Sequence, residues 1–493
     1  MSRTNKIRAI IHSKRQQQNK QTAPIPYSFR QFLYLPRPLP PSTKKKMLQS
    51  LLHQTPINAS TIPTTTTTTS SSSMNPKRHR PSSSHSPSSS TDDNNNPNKR
   101  RPTTTTTKDP IPSITPAESS ALHLLGLLLQ CAESVAKDRL TEASDLLPLL
   151  YDLSSPFGHS SIERVSAYFA HALHSRVLTS HLSSYSPLPP NLKTIFSAIQ
   201  SYNSISPLVK FSHFTANQAI FEALEHEPRI HIIDLDIMQG LQWPGLFHIL
   251  SSKPSMVESI RVTGIGSSAE LLDATGRTLS GFASALGLPL EYTPLVGKIG
   301  GSDAGPALLC AAEESERRGE AVVVHWMHHC IYDVTGSDVA TLRVLEAMKP
   351  RLITVVEQDM SHAGSFLGRF IEALHYYSAL FDALGEGVGA EAGSEERHRV
   401  ERELFGREIR NIVAVGGPKR TGEVKVERWG DELGRIGFEM VSLGGSPAAQ
   451  AKLLLGMYPG EGYTMVEEGG RLKIGWKDLS LLTASAWRPR SHF

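Results

Sequence analysis

"RIHIIDLDIMQGLQWPGLFHIL" occupies Arg229–Leu250. An apolar run ends in two acids, a turn follows, and a helix begins at "QWPGL". Strand, turn and helix in that order open the nucleotide-binding α/β folds, whose ligands sit at the carboxyl ends of the strands. The turn therefore decides between an enzyme and a scaffold. A dinucleotide or S-adenosylmethionine loop needs several glycines here, so that the backbone approaches the ligand and turns into the helix. In this chain Ile237, Met238 and Gln239 fill the turn, and Gly240 is the only glycine before Leu241. Bulky side chains stand where an adenosyl ligand would lie, and no cofactor is expected.

Downstream, short apolar runs alternate with helical stretches. Strands are expected at 230–236, 259–265, 290–295, 321–327, 352–359 and 411–416. "SAELLDATGRTLSGFASALGL" supplies a crossover helix that Gly287 would stop. This alternation predicts an α/β fold, a Rossmann-like, mainly parallel sheet with helices on both faces, within 227–493. The second strand reads "RVTGIGSS", with no carboxylate until Glu270 to hold a ribose. Its Gly264 and Gly266 could form a glycine-rich loop, but on the wrong strand.

Other chemistry is sparse. "HWMHHC" sets His325, His328, His329 and Cys330 close together, residue types that suit zinc, against which stands the plainer reading of core or helix-start histidines. Asp234, Asp236, Glu357 and Asp359 fall at strand ends. They could do acid–base work in a divergent S-adenosylmethionine-dependent methyltransferase, the alternative function. More often such acids cap helices or anchor loops. The sequence contains no G-x-S-x-G elbow and no P-loop.

Upstream, 115–226 reads as helical. Thr115, Pro116 and Glu118 make a strong start signal. Ala121, Leu125, Leu128, Ala132 and Val135 line one face, and Leu122 and Leu129 widen it beyond what a surface helix needs. Leu122, Leu125, Leu128, Leu129 and Val135 are therefore the candidate partner interface, with an intramolecular bundle as the competing reading. Pro148 should kink or limit the second helix. Val165, Phe169, Leu173 and Val177 mark a third, and Phe214, Ile220, Phe221 and Leu224 a fourth.

Charge and composition divide the chain near the same place. Residues 1–108 hold 18 basic and 2 acidic residues, a net of +16, whereas the remainder holds 33 and 45, a net of −12. An acidic globule gains little from counterion release on DNA, so direct DNA recognition by the folded part is disfavoured. Residues 1–114 are rich in Ser, Thr, Pro and Asn and are expected to be disordered. "KRHR" (Lys77, Arg78, His79, Arg80) and "KRR" (Lys99, Arg100, Arg101) form a candidate bipartite nuclear import signal, against a merely solubilising charge run. A rival is an organelle transit peptide, since the first 91 residues lack any acid; Met47 and Met74 are alternative starts. Cys131, Cys310 and Cys330 form no C-x-x-C pair, which disfavours a disulfide framework and a zinc finger. No apolar run is expected to reach the ~20 residues that span a bilayer.

These residues resemble the plant GRAS family. The central motif looks like "IHIID", Ile230, His231, Ile232, Ile233 and Asp234, flanked by leucine-rich regions at about 120–205 and 268–312. The Pro/Phe-Tyr/Arg-Glu motif maps more loosely onto Pro350, Phe370 with Tyr377, and Arg407 with Glu408. The terminal motif is sharper: Trp429 with Gly437, Trp476 with Trp487, and "SAW" at Ser485, Ala486 and Trp487. Longer strings such as "VVEQDMSHAGSFLGRFIEALHYYSALFDALG" narrow the match to one branch of the family. "MHHC" and "VGGPKRTGEVKVERW" depart from the usual pattern.

The resemblance covers roughly 118–491 and makes 115–493 a GRAS domain. It implies a nuclear transcriptional regulator with a methyltransferase-like core, a helical cap and no known catalysis. Implied partners are other GRAS proteins, SHORT-ROOT-like ones among them, in a homo- or heterodimer, and INDETERMINATE-domain zinc-finger transcription factors. Through the latter the chain would meet DNA indirectly. The implied biology is radial patterning, asymmetric cell division and endodermis or bundle-sheath fate.

Overall fold

The computed structural model describes residues 116–182, 191–252, 257–299, 303–329, 331, 338–386, 394–415, 426–458 and 462–490. The expected tail, 1–114, with both basic clusters, lies outside them, as do Cys330 and Thr115.

Five helices come first: α1 (Pro116–Ala136), α2 (Leu140–Leu153), α3 (Ser161–Leu182), α4 (Leu192–Ile205) and α5 (Leu208–Ala223). α1 begins at Pro116, where a missing N–H costs nothing. It ends before Asp138, which takes a left-handed φ of +58°. Leu124, Leu128, Cys131, Ala132 and Val135 are buried along it, against α2 and α3. Each such apolar side chain contributes about 1.5–3 kcal/mol when fully buried. α2 runs five residues past Pro148 rather than stopping there. Along α3, Val165, Phe169, Leu173 and Val177 are all buried, as their four-residue spacing predicts.

α1 carries one surprise. Its stretch Ser119–Ala136 is, by length and composition, apolar enough to cross a membrane, and only 33% of it is buried. The expectation that no run would pass that test is corrected. One such helix is weak evidence for a membrane, and half of its apolar side chains pack inside the protein.

The α/β part alternates as read: β1 (Arg229–Asp234), α6 (Trp243–Ser251), β2 (Ser259–Gly266), α7 (Ala269–Ala285), β3 (Leu290–Val296), α8 (Ala304–Arg318), β4 (Ala321–Met327), α9 (Asp338–Met348), β5 (Leu352–Gln358) and α10 (Phe366–Glu386). Ser268 caps α7, its hydroxyl accepting from the Leu271 N–H, and Gly287 follows with φ +69°. β1 to β5 are mutually parallel, in the order β3-β2-β1-β4-β5. β5 is buried at every position, which requires cover on both faces. Ile233, Val324 and Val355 share one core with Leu308 of α8 and Leu342 and Leu345 of α9. α5 contacts β4 and β5.

Two elements depart from expectation. "NIVAV" was expected in a strand at 411–416. It forms instead the second of two π-helical turns: Glu401–Phe405 joins α11 (Ser394–Val400) to α12 (Gly406–Arg410), and Asn411–Val415 continues from α12. A short, fully buried apolar run is compatible with either state, and periodicity does not separate them. The sheet position beside β5 is taken by another strand. That strand belongs to an antiparallel wing: α13 (Trp429–Arg435), β6 (Phe438–Val441), α14 (Ser446–Leu455), β7 (Tyr463–Glu468), β8 (Arg471–Trp476) and β9 (Leu479–Pro489). β9 pairs antiparallel with β5, β8 and β6, extending the sheet as β5-β9-β8-β7. The helical layer is likewise not confined to 115–226, because α11 packs on α4, and α10 and α12 pack on α3.

Candidate functional site

β1 is central and dry. Ile230, His231, Ile232 and Ile233 are fully buried, and Asp234 is 4% exposed at its carboxyl end. His231 is held by Ser315 at 2.6 Å and Thr263 at 2.8 Å, so the motif histidine is a satisfied core residue. Burial, then the nearby Arg261 and Arg318, hold its pKa down at about 3.

The turn after β1 is pinned on every side. The Leu235 N–H donates to the His325 carbonyl and the Ile237 N–H to the Ile265 carbonyl, each at 3.0 Å. The Thr275 hydroxyl donates to the Met238 carbonyl at 2.8 Å. Met238 takes φ +46° and Gly240 φ +63°, a left-handed pair that turns the chain toward α6. Ile237 is buried and lies directly over Gly264 of β2. A Cβ on Gly264 would meet Ile237 Cδ1, Ile237 Cγ2 and the Tyr292 hydroxyl, each at 2.8 Å. Gly264 is thus a seat for two protein side chains rather than a place where backbone meets a ligand.

The strand-end acids anchor structure. Asp234 accepts from the Trp243 indole N–H at 2.8 Å and from the Asp236 N–H at 3.2 Å. Burial nevertheless pushes its pKa up to about 7. Glu357 accepts from the Trp429 N–H at 3.0 Å and the Gly430 N–H at 3.5 Å, at the start of α13. Its pKa is raised, mainly by burial. Asp359 pairs with Arg428.

The histidine cluster disperses. His325 is buried, its Nδ1 2.9 Å from the Thr354 hydroxyl and its ring edge-on to Trp243. Burial, then His213, lowers its pKa to about 3. His328 stands against Trp326 and Trp429. His329 lies 3.0 Å from Asp236. Three rings face three different neighbours, and among the described residues no group of three or more metal-type ligands gathers.

Above the strand ends, between the sheet and the helices, lies a mostly apolar cavity of about 100 Å³. Asp234, His325 and Gln358 contribute from the strands, Val209 and His213 from α5, and Glu408 from α12. Gln358 donates through its amide nitrogen to both oxygens of Glu408 at 3.1 Å, and Tyr377 donates to Glu408 at 2.9 Å. The loosely mapped Tyr377 and Glu408 are therefore brought together. Phe370 is fully buried edge-on to Phe169, whereas Pro350 stands apart, just before β5, and Arg407 is half-buried beside Glu408.

The terminal motif is packing. Trp429 contacts Trp326 at 4.4 Å between ring centroids. The Trp476 indole donates to Asp382 at 2.8 Å, and the Trp487 indole to the Ser485 hydroxyl at 2.9 Å. Ser485, Ala486 and Trp487 sit on β9 opposite Val355, Thr354 and Ile353. Gly437 supplies φ +101° before β6.

The candidate interface splits. Leu128 is fully buried and Val135 is 8% exposed, so these two belong to the core and not to a partner surface. The reason is geometric: they share a stripe with Leu124, Cys131 and Ala132 that packs on α2 and α3. Leu122 is 49% exposed, and Leu125 and Leu129 are half-buried. Leu149 and Leu153, one turn apart on α2, are also exposed, and Leu153 was not singled out in the sequence. Neither was the buried pair of Arg164 and Glu401, which joins α3 to the first π turn at 3.0 Å. A charge-bearing residue at an apolar helical position was its only sequence signal.

The model of the GRAS domain family matches residues 124–488. The chain is 60% identical to Scarecrow-like protein 23 of Arabidopsis thaliana over 379 residues, 75% of this chain and 90% of that protein. It is 57% identical to Protein SCARECROW of Arabidopsis thaliana over 381 residues, 76% of this chain but only 57% of that protein's length. The matched strings thus point to the SCARECROW branch. A solved structure, SCL7 of Oryza sativa, superposes with TM-score 0.61 at 31% identity, covering 74% of this chain and 99% of that one.

Proposed function

The chain belongs to the GRAS domain family, and on that premise we propose that it is a nuclear transcriptional co-regulator of plant development that works by binding proteins. One observation carries this reading. Ile237 packs on Gly264 at the strand ends and the cavity left there is about 100 Å³, well below the ~300–1,000 Å³ of cofactor sites, while apolar side chains such as Leu122, Leu149 and Leu153 are left on the helical surface. Exposed leucines of this kind suit a partner helix. The partners proposed are a SHORT-ROOT-like GRAS protein and INDETERMINATE-domain zinc-finger proteins. The latter would supply the DNA contact that an acidic folded region is poorly charged to make. Kinship with proteins named SCARECROW supports a role in radial patterning and endodermal fate.

The test is affinity for a SHORT-ROOT-like protein, measured with the full chain. Leu122→Asp and Leu149→Asp, made separately, should each leave the Tm unchanged, and at least one should weaken binding by about tenfold or more, as loss of an interface hot spot does. Wild-type affinity in both variants would remove this surface from the proposal.

A further inference from the structure

We propose that the cavity between the helical layer and the carboxyl end of the sheet is a binding site for a small, neutral, mainly apolar molecule carrying a hydrogen-bond donor. This goes beyond partner binding and does not depend on it.

Size sets the first limit. At about 100 Å³ the cavity is well below the ~300–1,000 Å³ of sites for drug-sized ligands and cofactors. It is comparable to the ~150 Å³ engineered cavity that takes up benzene. An occupant of about six to ten non-hydrogen atoms is the scale that fits.

Charge sets the second. The carboxylates in the wall already hold donors: Asp234 those of Trp243 and Asp236, Glu408 those of Gln358 and Tyr377. Asp236 faces His329. Each of these three acids is held by a protein group, so a cation would have to displace one of those contacts, and an anion would lie beside all three. His213 and His325 are held uncharged by burial, each with its pKa near 3. Burying an unpaired charge here would be costly, so the occupant is neutral.

The third limit is an unmet acceptor. Gln358 is 8% exposed, and its amide nitrogen is fixed on Glu408. That fixes which way the amide points and leaves its oxygen without a donor. The amide oxygen of Gln239, in the same wall, is buried without a partner too. A buried acceptor left unpaired is destabilising, and a ligand N–H or O–H removes that penalty. An occupant would touch both layers at once, because Val209 and His213 come from α5 and Gln358 from β5.

The probes are indole and phenol, with benzene as the counterpart that lacks a donor. Titrated into the full chain, indole or phenol should bind at one site with Kd between about 10 µM and 1 mM, the range for so few atoms. Benzene should bind at least tenfold more weakly. In methyl-labelled wild-type protein, nuclear Overhauser contacts from the bound probe should reach Val209 and Ile199. Val209→Phe, which puts a ring into the space, should abolish binding. Three results would overturn the proposal: no saturable binding of either probe, Overhauser contacts confined to methyls elsewhere, or wild-type binding by a folded Val209→Phe variant.

Discussion

Gly264 and Ile237 are the pair on which the reading of the turn rests. Gly264→Ala would place a methyl 2.8 Å from Ile237 and Tyr292. It should lower unfolding free energy in urea by about 1–3 kcal/mol, the usual cost of overpacking. Adding Ile237→Val should recover part of that loss, a coupling of about 0.5–3 kcal/mol. A neutral Gly264→Ala would mean that Ile237 is not seated there. Asp234 makes a second prediction. Its folded pKa, raised to about 7 by burial, lies above the unfolded value of about 4. The folded chain then holds a proton that the unfolded chain has released. Its contribution is therefore greatest below about pH 4 and is lost as pH rises toward 7, at up to about 1.4 kcal/mol per unit. His325 works in the opposite sense, neutral when folded and protonated when unfolded below about pH 6.5. Asp234→Asn keeps an oxygen for Trp243, so stability against pH, wild type minus variant, isolates the carboxyl. A flat difference between pH 4 and 7 would contradict the raised pKa.

Among the elements, the joint between α3 and the first π turn is the most demanding. Arg164 and Glu401 are 2% and 0% exposed, and Arg164 also donates to the carbonyls of His159 and Phe381. Removing Arg164 leaves the buried Glu401 only the longer contact to Arg397 at 3.7 Å, so Arg164→Met should cost about 3–5 kcal/mol. Arg164→Met with Glu401→Leu should cost much less. Equal losses in both would deny the pair its role. This joint also marks where sequence reasoning ran out. The parallel strands were legible because β1, β2, β4 and β5 are short apolar runs between helices with clear stops, Gly287 among them. The antiparallel wing was not. β7 and β8 carry Glu467, Glu468, Lys473 and a Gly469–Gly470 turn, ordinary polar hairpin signals that do not say which strand they will join. "NIVAV" misled because burial on all sides erases the period that tells strand from helix. The turn at Ile237 was legible because bulk where glycine is needed is a local fact. The cavity was not, since Val209, Gln358 and Glu408 meet only through the fold.

For the whole molecule, a sheet with the order β3-β2-β1-β4-β5 has its strand ends where such folds place ligands. Here the ends are narrowed by the turn after β1, by acids bonded to Trp243 and Trp429, and by helices laid across them, to a cavity of about 100 Å³. What remains outside is an acidic globule with leucines on α1 and α2, joined to a basic segment of residues 1–108. That combination suits a protein that brings other proteins together, and it sets the account against a methyltransferase built on Asp234. Calorimetric titration of S-adenosylmethionine into the full chain separates the two. The account predicts no binding heat at micromolar to millimolar ligand; a one-to-one isotherm with micromolar Kd, lost in Asp234→Asn, would contradict it.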